Sequence, residues 1–283
     1  MPGAAQLSHL IKLLDDDSEV VRQAVRQQLE SMKRELPDQL AALDQPVSAE
    51  EERILADLLA PSRREELEDS WMSWRNQATE DQQIESALAQ LSAFLSGWKT
   101  RPKELSHRLD FMAESARTEF GSQSPDARLL SDWLFATRGL EGARLRGNSK
   151  DYYSPHNSNL FWVIETGLGN PISLCMIYRL LGARLGIAIE GCNFPGHFLA
   201  RVTLDDQVWL VDCFNRGRFM LASDVARHHP AANPAMEEIV HQRASADSVL
   251  MRFLRNLDDA FDKRGQMPER QLMRRLSVKL MES

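Results

Sequence analysis

The sequence predicts an α+β protein, mostly helical, with one small antiparallel sheet between helical N- and C-terminal flanks. Three observations predict it. Apolar residues recur at helical spacing from residue 4 to 137. Strand-like runs are confined to residues 187–212. From Ala246 onward the spacing is helical again.

Residues 1–120 read as a helical N-terminal region. Leu7, Leu10, Ile11 and Leu14 share one helical face, and Asp15, Asp16 and Asp17 break it. Ser18 then caps a second helix with Val20, Val21, Ala24, Val25 and Leu29 inward. The stretch LIKLLDDDSEVVRQAV resembles one HEAT-type hairpin, without a second copy at a fixed period. Ser48 with Glu51 forms a capping box ahead of Ile54, Leu55, Leu58 and Leu59, and Pro61 is expected to end that helix. Leu67, Trp71 and Trp74 mark another helix. Thr79 with Gln82 opens the next, with Ile84, Leu88, Leu91 and Leu95 inward and Gly97 as its stop. Leu105, Leu109, Met112 and Ala116 follow. The tryptophans read as core or interface.

Residues 121–240 read as the core domain. Ser124-Pro125 is expected to supply a cap and a first-turn proline for Leu129, Leu130, Trp133 and Leu134. Residues 138–156 form a long, glycine-bearing loop, a type often functional. Helices are expected at Asn157–Thr166 and Pro171–Leu185. IAIEGC, HFLARVTL and QVWLVD then read as strands, the last two joined by an Asp205-Asp206 turn. Residues 241–283 read as a helical hairpin turning at Gly265.

Composition narrows the function. The net charge of −7 argues against nucleic acid or an anionic membrane as the main partner. The N-terminus lacks the basic and apolar regions of a signal peptide, and no stretch approaches a membrane span. Three cysteines, Cys175, Cys192 and Cys213, read as reduced thiols of a cytoplasmic protein. No glycine-rich phosphate loop and no CxxC pair suggests a cofactor or metal, and a zinc site from the cysteines and His197 finds no support in their spacing.

One pair stands out. With a two-residue turn, Leu204 faces Gln207 and Leu199 faces Asp212, so His197 and Asp212 become diagonal neighbours on one face. The other face carries Phe198, Ala200, Val202, Leu204, Trp209 and Val211, all apolar. A carboxylate orienting a histidine is either a satisfied structural pair or two-thirds of a nucleophilic triad. The helix starting at Asn170-Pro171 offers Ser173 near its terminus and Cys175 about one turn inside, where help from the helix dipole has faded.

The stretch GNSKDYYSPHNSNLFWVIETGLGNPISLCMIYRLLGARLGIAIEGCNFPGHFLARV resembles the SirB-type branch of the transglutaminase-like superfamily. The likeness covers roughly residues 128–220. It implies a papain-like core in which a helix bearing the nucleophile packs on a sheet bearing His and Asp, matched here by His197 and Asp212. The superfamily's nucleophile position, counted back from Gly186, falls at Pro171, and Cys175 lies four residues later. The tail is similar to the tetratricopeptide-like hairpins that follow such cores. Two functions are implied: a non-catalytic or weakly active binding module taking a protein or peptide partner around His197 and Asp212, or a cysteine acyl transferase or amide hydrolase using Cys175, His197 and Asp212.

Overall fold

The computed structural model describes residues 4–32, 36–41, 48–97, 100–135, 142–228 and 234–282. In chain order the elements are α1 (Ala4–Lys12), α2 (Glu19–Ser31), α3 (Leu36–Ala41), α4 (Ala49–Ser70), α5 (Glu80–Leu95), α6 (Lys103–Phe120), α7 (Ala127–Leu134), β1 (Arg146–Gly147), α8 (Leu160–Thr166), β2 (Leu168–Gly169), α9 (Pro171–Leu185), β3 (Glu190–Cys192), β4 (Leu199–Leu204), β5 (Gln207–Asp212), β6 (Arg218–Leu221), α10 (Ala222–His228), α11 (Pro234–His241), α12 (Ala246–Lys263) and α13 (Met267–Met281). Strands β3–β6 form an antiparallel sheet in sequential order, and β1 pairs in parallel with β2. This is the α+β arrangement the sequence predicts.

Local chemistry explains the starts. Ser48 and Glu51 cap α4 reciprocally, as Thr79 and Gln82 cap α5. Asn170 accepts from the Ser173 amide at 2.9 Å and sets Pro171 as the first residue of α9. At the β4–β5 turn, Asp205 and Asp206 have φ of 49° and 58°, the left-handed pair that a type I′ turn requires. The turn holds Leu204 opposite Gln207 and Ala200 opposite Val211, the expected register.

Four local expectations are corrected. Helix α4 does not end at Pro61 but runs through it to Ser70. Before the proline, Leu55 and Leu59 pack into a cluster with α1–α3; after it, Leu67 enters the main core. Packing on both sides, with Pro61 itself exposed, offsets the lost backbone hydrogen bond. Leu67 accordingly belongs to α4, and Trp71 and Trp74 lie in a 3₁₀ turn, Trp71–Asn76. Asp126, not Ser124, caps α7: its carboxylate accepts from the Leu129 amide at 2.7 Å, which leaves Pro125 outside the helix. The predicted helix from Asn157 splits into a 3₁₀ turn, Pro155–Ser158, and α8, because the Asn159 side chain caps the second piece. Of the loop predicted at 138–156, residues 138–141 lie outside the described residues; the remainder contains β1 and that 3₁₀ turn.

The main core joins α5–α9, the apolar face of the sheet, α12 and α13. Phe198, Ala200, Val202 and Val211 all enter it, with Leu204 and Trp209 at its margin, as the alternation predicts. The C-terminal hairpin contributes Val249, Leu250, Phe253, Leu257, Leu272 and Leu276 to this same core. Buried Arg179 ties α9 to the start of α5 through Asp81 at 2.6 Å and Glu80 at 3.0 Å, and Glu80 also accepts from the Ala246 amide at the start of α12.

Candidate functional site

The sheet's second face is more covered than its sequence suggests. Leu199, Leu210 and Cys192 pack there under Ala222 and Ala226 of α10 and Val240 of α11. The end of the face carrying His197 and Asp212 is left partly open: the two side chains are 30% and 12% exposed.

His197 follows Gly196, whose φ of 73° bends the chain into β4. Its Nε2 lies 2.8 Å from Asp212 Oδ1. The turn after β5 wraps the carboxylate: Asn215 donates from its amide nitrogen to Oδ1 at 3.1 Å and from Nδ2 to Oδ2 at 2.7 Å. Burial alone would raise the Asp212 pKa, but hydrogen bonds from His197 and Asn215 outweigh it and hold the carboxyl below its ordinary value. The His197 ring meets the edge of Phe214, which in turn meets Tyr152. Gly147 lies against the Phe214 ring so closely that a side-chain carbon there would come within 2.6 Å of it.

Beside the pair, a buried network of amides and hydroxyls locks the loop before α8 to the start of α9. Asn157, fully buried, donates from Nδ2 to the Asp151 and Tyr152 carbonyls at 2.7 and 2.9 Å, and its Oδ1 accepts from Asn148 at 2.9 Å. Ser173 Oγ lies 2.5 Å from the Asn157 carbonyl and 2.7 Å from Asn170 Oδ1. Asn170 donates to Ser158 Oγ at 2.9 Å. The start of α9, where the superfamily's nucleophile is expected, is thus filled by groups bonded to one another. Tyr152, Tyr153, Ser158 and Asn170 face Arg252 and Arg255 of α12 across a cavity of about 300 Å³. Arg252 donates to Asn193 at 3.1 Å, which ties α12 to the segment leading into His197.

Cys175 is elsewhere. Its side chain is fully buried in the core that holds Phe198, Ala200, Val211 and Cys213, beneath the apolar face. His197 and Asp212 alternate with those residues and point to the other face. The thiol donates to the Phe198 carbonyl at 3.7 Å and lies beside Cys213; among the described residues no hydrogen bond joins it to His197. Burial, and the neighbouring Cys213, push its pKa well above the ordinary thiol value. Cys192, on the opposite face, is likewise pushed up to about 12 by burial. The structure therefore brings His197 and Asp212 together and leaves Cys175 apart from them.

The residues that sequence reasoning missed are Asn148, Asn157, Ser158, Phe214 and Asn215. The density of Asn and Ser in GNSKDYYSPHNSN, set between apolar helices, is the signal for the first three. Among the described residues, no cluster of His, Cys, Asp and Glu could hold a metal, and no helix is long and apolar enough to cross a membrane.

Comparison with known proteins bears on the family and the fold. Residues 103–255, more than half of the chain, match the family described as the transglutaminase-like superfamily. The UPF0162 protein of Xylella fastidiosa (strain Temecula1) is 41% identical over 122 residues, covering 41% of this chain and 43% of that protein. F-box only protein 21 of Mus musculus is 28% identical over 207 residues, covering 68% of this chain and 30% of that protein; its Homo sapiens counterpart is 27% identical over the same length. The chain thus spans less than half the length of these relatives. No solved structure matches it.

Proposed function

This chain belongs to the transglutaminase-like superfamily, and from that premise we propose that it is a non-catalytic binding module of the SirB-type branch, taking a protein or peptide partner in the cleft beside His197 and Asp212. The observation that carries this reading is the place of Cys175. A triad needs its thiol within hydrogen-bond reach of the imidazole and an environment that favours thiolate. Cys175 has neither: it is bonded to the Phe198 carbonyl beneath the sheet, and burial disfavours its charged form. Ser173, nearer the helix start, has its hydroxyl engaged by Asn157 and Asn170.

What remains favours recognition. The His197–Asp212 pair offers one imidazole face at a partly open edge. The adjoining cavity, about 300 Å³, combines exposed tyrosines with the arginines of α12, a size and mixture suited to a short peptide segment. The helical flanks, residues 1–120 and 241–283, would present the surrounding interaction surface.

Iodoacetamide labelling of the native protein across pH, read by peptide mass analysis, tests the reading. Cys175 is expected to stay unlabelled at neutral pH, and the protein is expected to turn over neither an activated ester nor a glutamine-containing peptide. A Cys175 thiol titrating well below ~8.5, the free-thiol value, with that shift lost in His197→Ala, would establish the acyl-transfer alternative instead.

A further inference from the structure

The cavity beside the cleft carries a charge opposite to that of the whole chain. Its α12 wall turns Arg252, Arg255 and Asp259 toward Tyr152 and Tyr153, and Lys263 continues the same stripe one turn on. Spacings of three and four residues put these side chains on one helix face. Arg252 is half-buried and donates to the neutral Asn193 side chain at 3.1 Å. Arg255 is exposed and, among the described residues, makes no hydrogen bond or ion pair. Lys263 Nζ stands 5.5 Å from the centroid of the Tyr153 ring, likewise without an ion pair among the described residues. Against these three cations the stripe sets one carboxylate, Asp259. The remaining acids of α12 are held by other partners: Asp247 by Arg75 at 2.8 Å, Asp258 by Arg274 at 2.8 Å, and Asp262 by Arg270. Asp151, next to Tyr152 in the chain, is held by Arg264 at 2.6 Å. Asp259 offsets one cation at most, so three against one leaves a surplus of two positive charges, in a chain whose formal net charge is −7.

We propose that the segment taken here is an acidic peptide, extended along α12 with several carboxylate side chains. The inference rests on the binding reading above and names the chemistry of its partner. From Arg252 to Lys263 the helix advances about 16 Å at ~1.5 Å per residue, the reach of about five residues of extended chain. Charges spread over that length match several side-chain carboxylates better than the single carboxylate of a chain terminus. Guanidinium groups suit this role, because their planar N–H forks bond both oxygens of a carboxylate. Tyr152 and Tyr153, about half exposed with rings edge to face 5.4 Å apart, offer apolar surface to the residues between the acids. Ring contacts continue from Tyr152 through Phe214 to His197, so a segment lying on α12 leads into the cleft. Three cations on one helix face are too few to hold a nucleic acid against the net charge of the chain.

The test selects random heptapeptides displayed on phage against the immobilised full chain at low salt. The selected sequences are expected to be rich in Asp and Glu. A synthetic copy of the strongest should lose its binding when salt is raised, and when its acids are replaced by Asn and Gln. In fluorescence anisotropy titrations Arg255→Gln should weaken that peptide about threefold, and Arg252→Gln with Arg255→Gln about tenfold. Asp259→Asn should act with the opposite sign and tighten binding about twofold to threefold. Arg255 and Asp259 are both exposed, so their replacement leaves the core untouched. Acidic peptides whose affinity is unchanged in these variants overturn the proposal, as does a single-stranded oligonucleotide that binds the same residues more tightly. Neutral or basic peptides whose binding is lost in His197→Ala overturn this inference alone and leave the binding module standing. Selection of no peptide at all overturns both.

Discussion

Replacing Asn157 by leucine removes the centre of the network that holds the cleft. The side chain is fully buried, so it gains nothing from water in the folded state. Leucine has a similar size but leaves the Asp151 and Tyr152 carbonyls and the Asn148 amide without the partners they now have at 2.7, 2.9 and 2.9 Å. At roughly 1 kcal/mol for each buried group left unsatisfied, the loss is about 3 kcal/mol. That is a large part of a stability of about 5–15 kcal/mol. At about 2–4 °C for each kcal/mol, the unfolding temperature should fall by about 6–12 °C. Urea denaturation measures the loss, and proteolysis within residues 148–158 should quicken, because the lost bonds hold that loop in its own turn, while the tie from the Asn157 backbone carbonyl to Ser173 of α9 remains. A loss below about 1 kcal/mol, with the cleavage pattern unchanged, would show that the network does not hold the loop and would remove the basis for a pre-formed cleft.

Two further outcomes follow from the same site. The Asp212 carboxyl titrates below its ordinary value of 3.8 in the folded chain, so its ionised form stabilises the fold above that pH, and the contribution is lost as pH falls through the folded pKa; Asp212→Asn should therefore cost about 2 kcal/mol at pH 7 and progressively less below pH 3.8, and a difference independent of pH in urea titrations would contradict this. Gly147→Ala drives a methyl group into the Phe214 ring, so it should cost about 1–3 kcal/mol, and Phe214→Leu in the same chain should recover part of that; strictly additive losses would show that the ring and the glycine are not coupled.

The parts of the fold that were legible in the sequence are those set by local chemistry. Capping boxes at Ser48 and Thr79, the Asn170-Pro171 start and the Asp205-Asp206 turn each depend on residues within a few positions, and each stands where the sequence places it. The alternation of β4 and β5 set the register because a slip by one residue would turn Asp212 into the apolar core. What was not legible depended on distant partners. Nothing near Pro61 tells that the helix bridges two hydrophobic clusters and so survives its proline. Strand β6 and helices α10 and α11 lacked strong patterns of their own, since they are stabilised by covering Leu199 and Leu210.

The site shows the same division at finer scale. His197 and Asp212 could be paired from sequence because both lie on one hairpin, whose register fixes their faces. Cys175 belongs to a helix packed beneath that hairpin, and its side chain could point at the imidazole or into the core with no change in local spacing. The sheet's parity decides it: a residue reaching the layer of Phe198, Ala200, Val211 and Cys213 has the strand backbone between itself and His197. The superfamily's nucleophile is expected one turn earlier, at the start of α9. In this chain the helix start is held by Asn170, Ser158 and Ser173, bonded among themselves and to Asn157. The one-turn displacement of the cysteine, visible in the sequence as four residues, is thus a change of side as well as of distance. On the binding reading proposed above, the His–Asp pair keeps its geometry through Asn215 and Phe214, partners suited to holding an imidazole still against whatever enters the cleft.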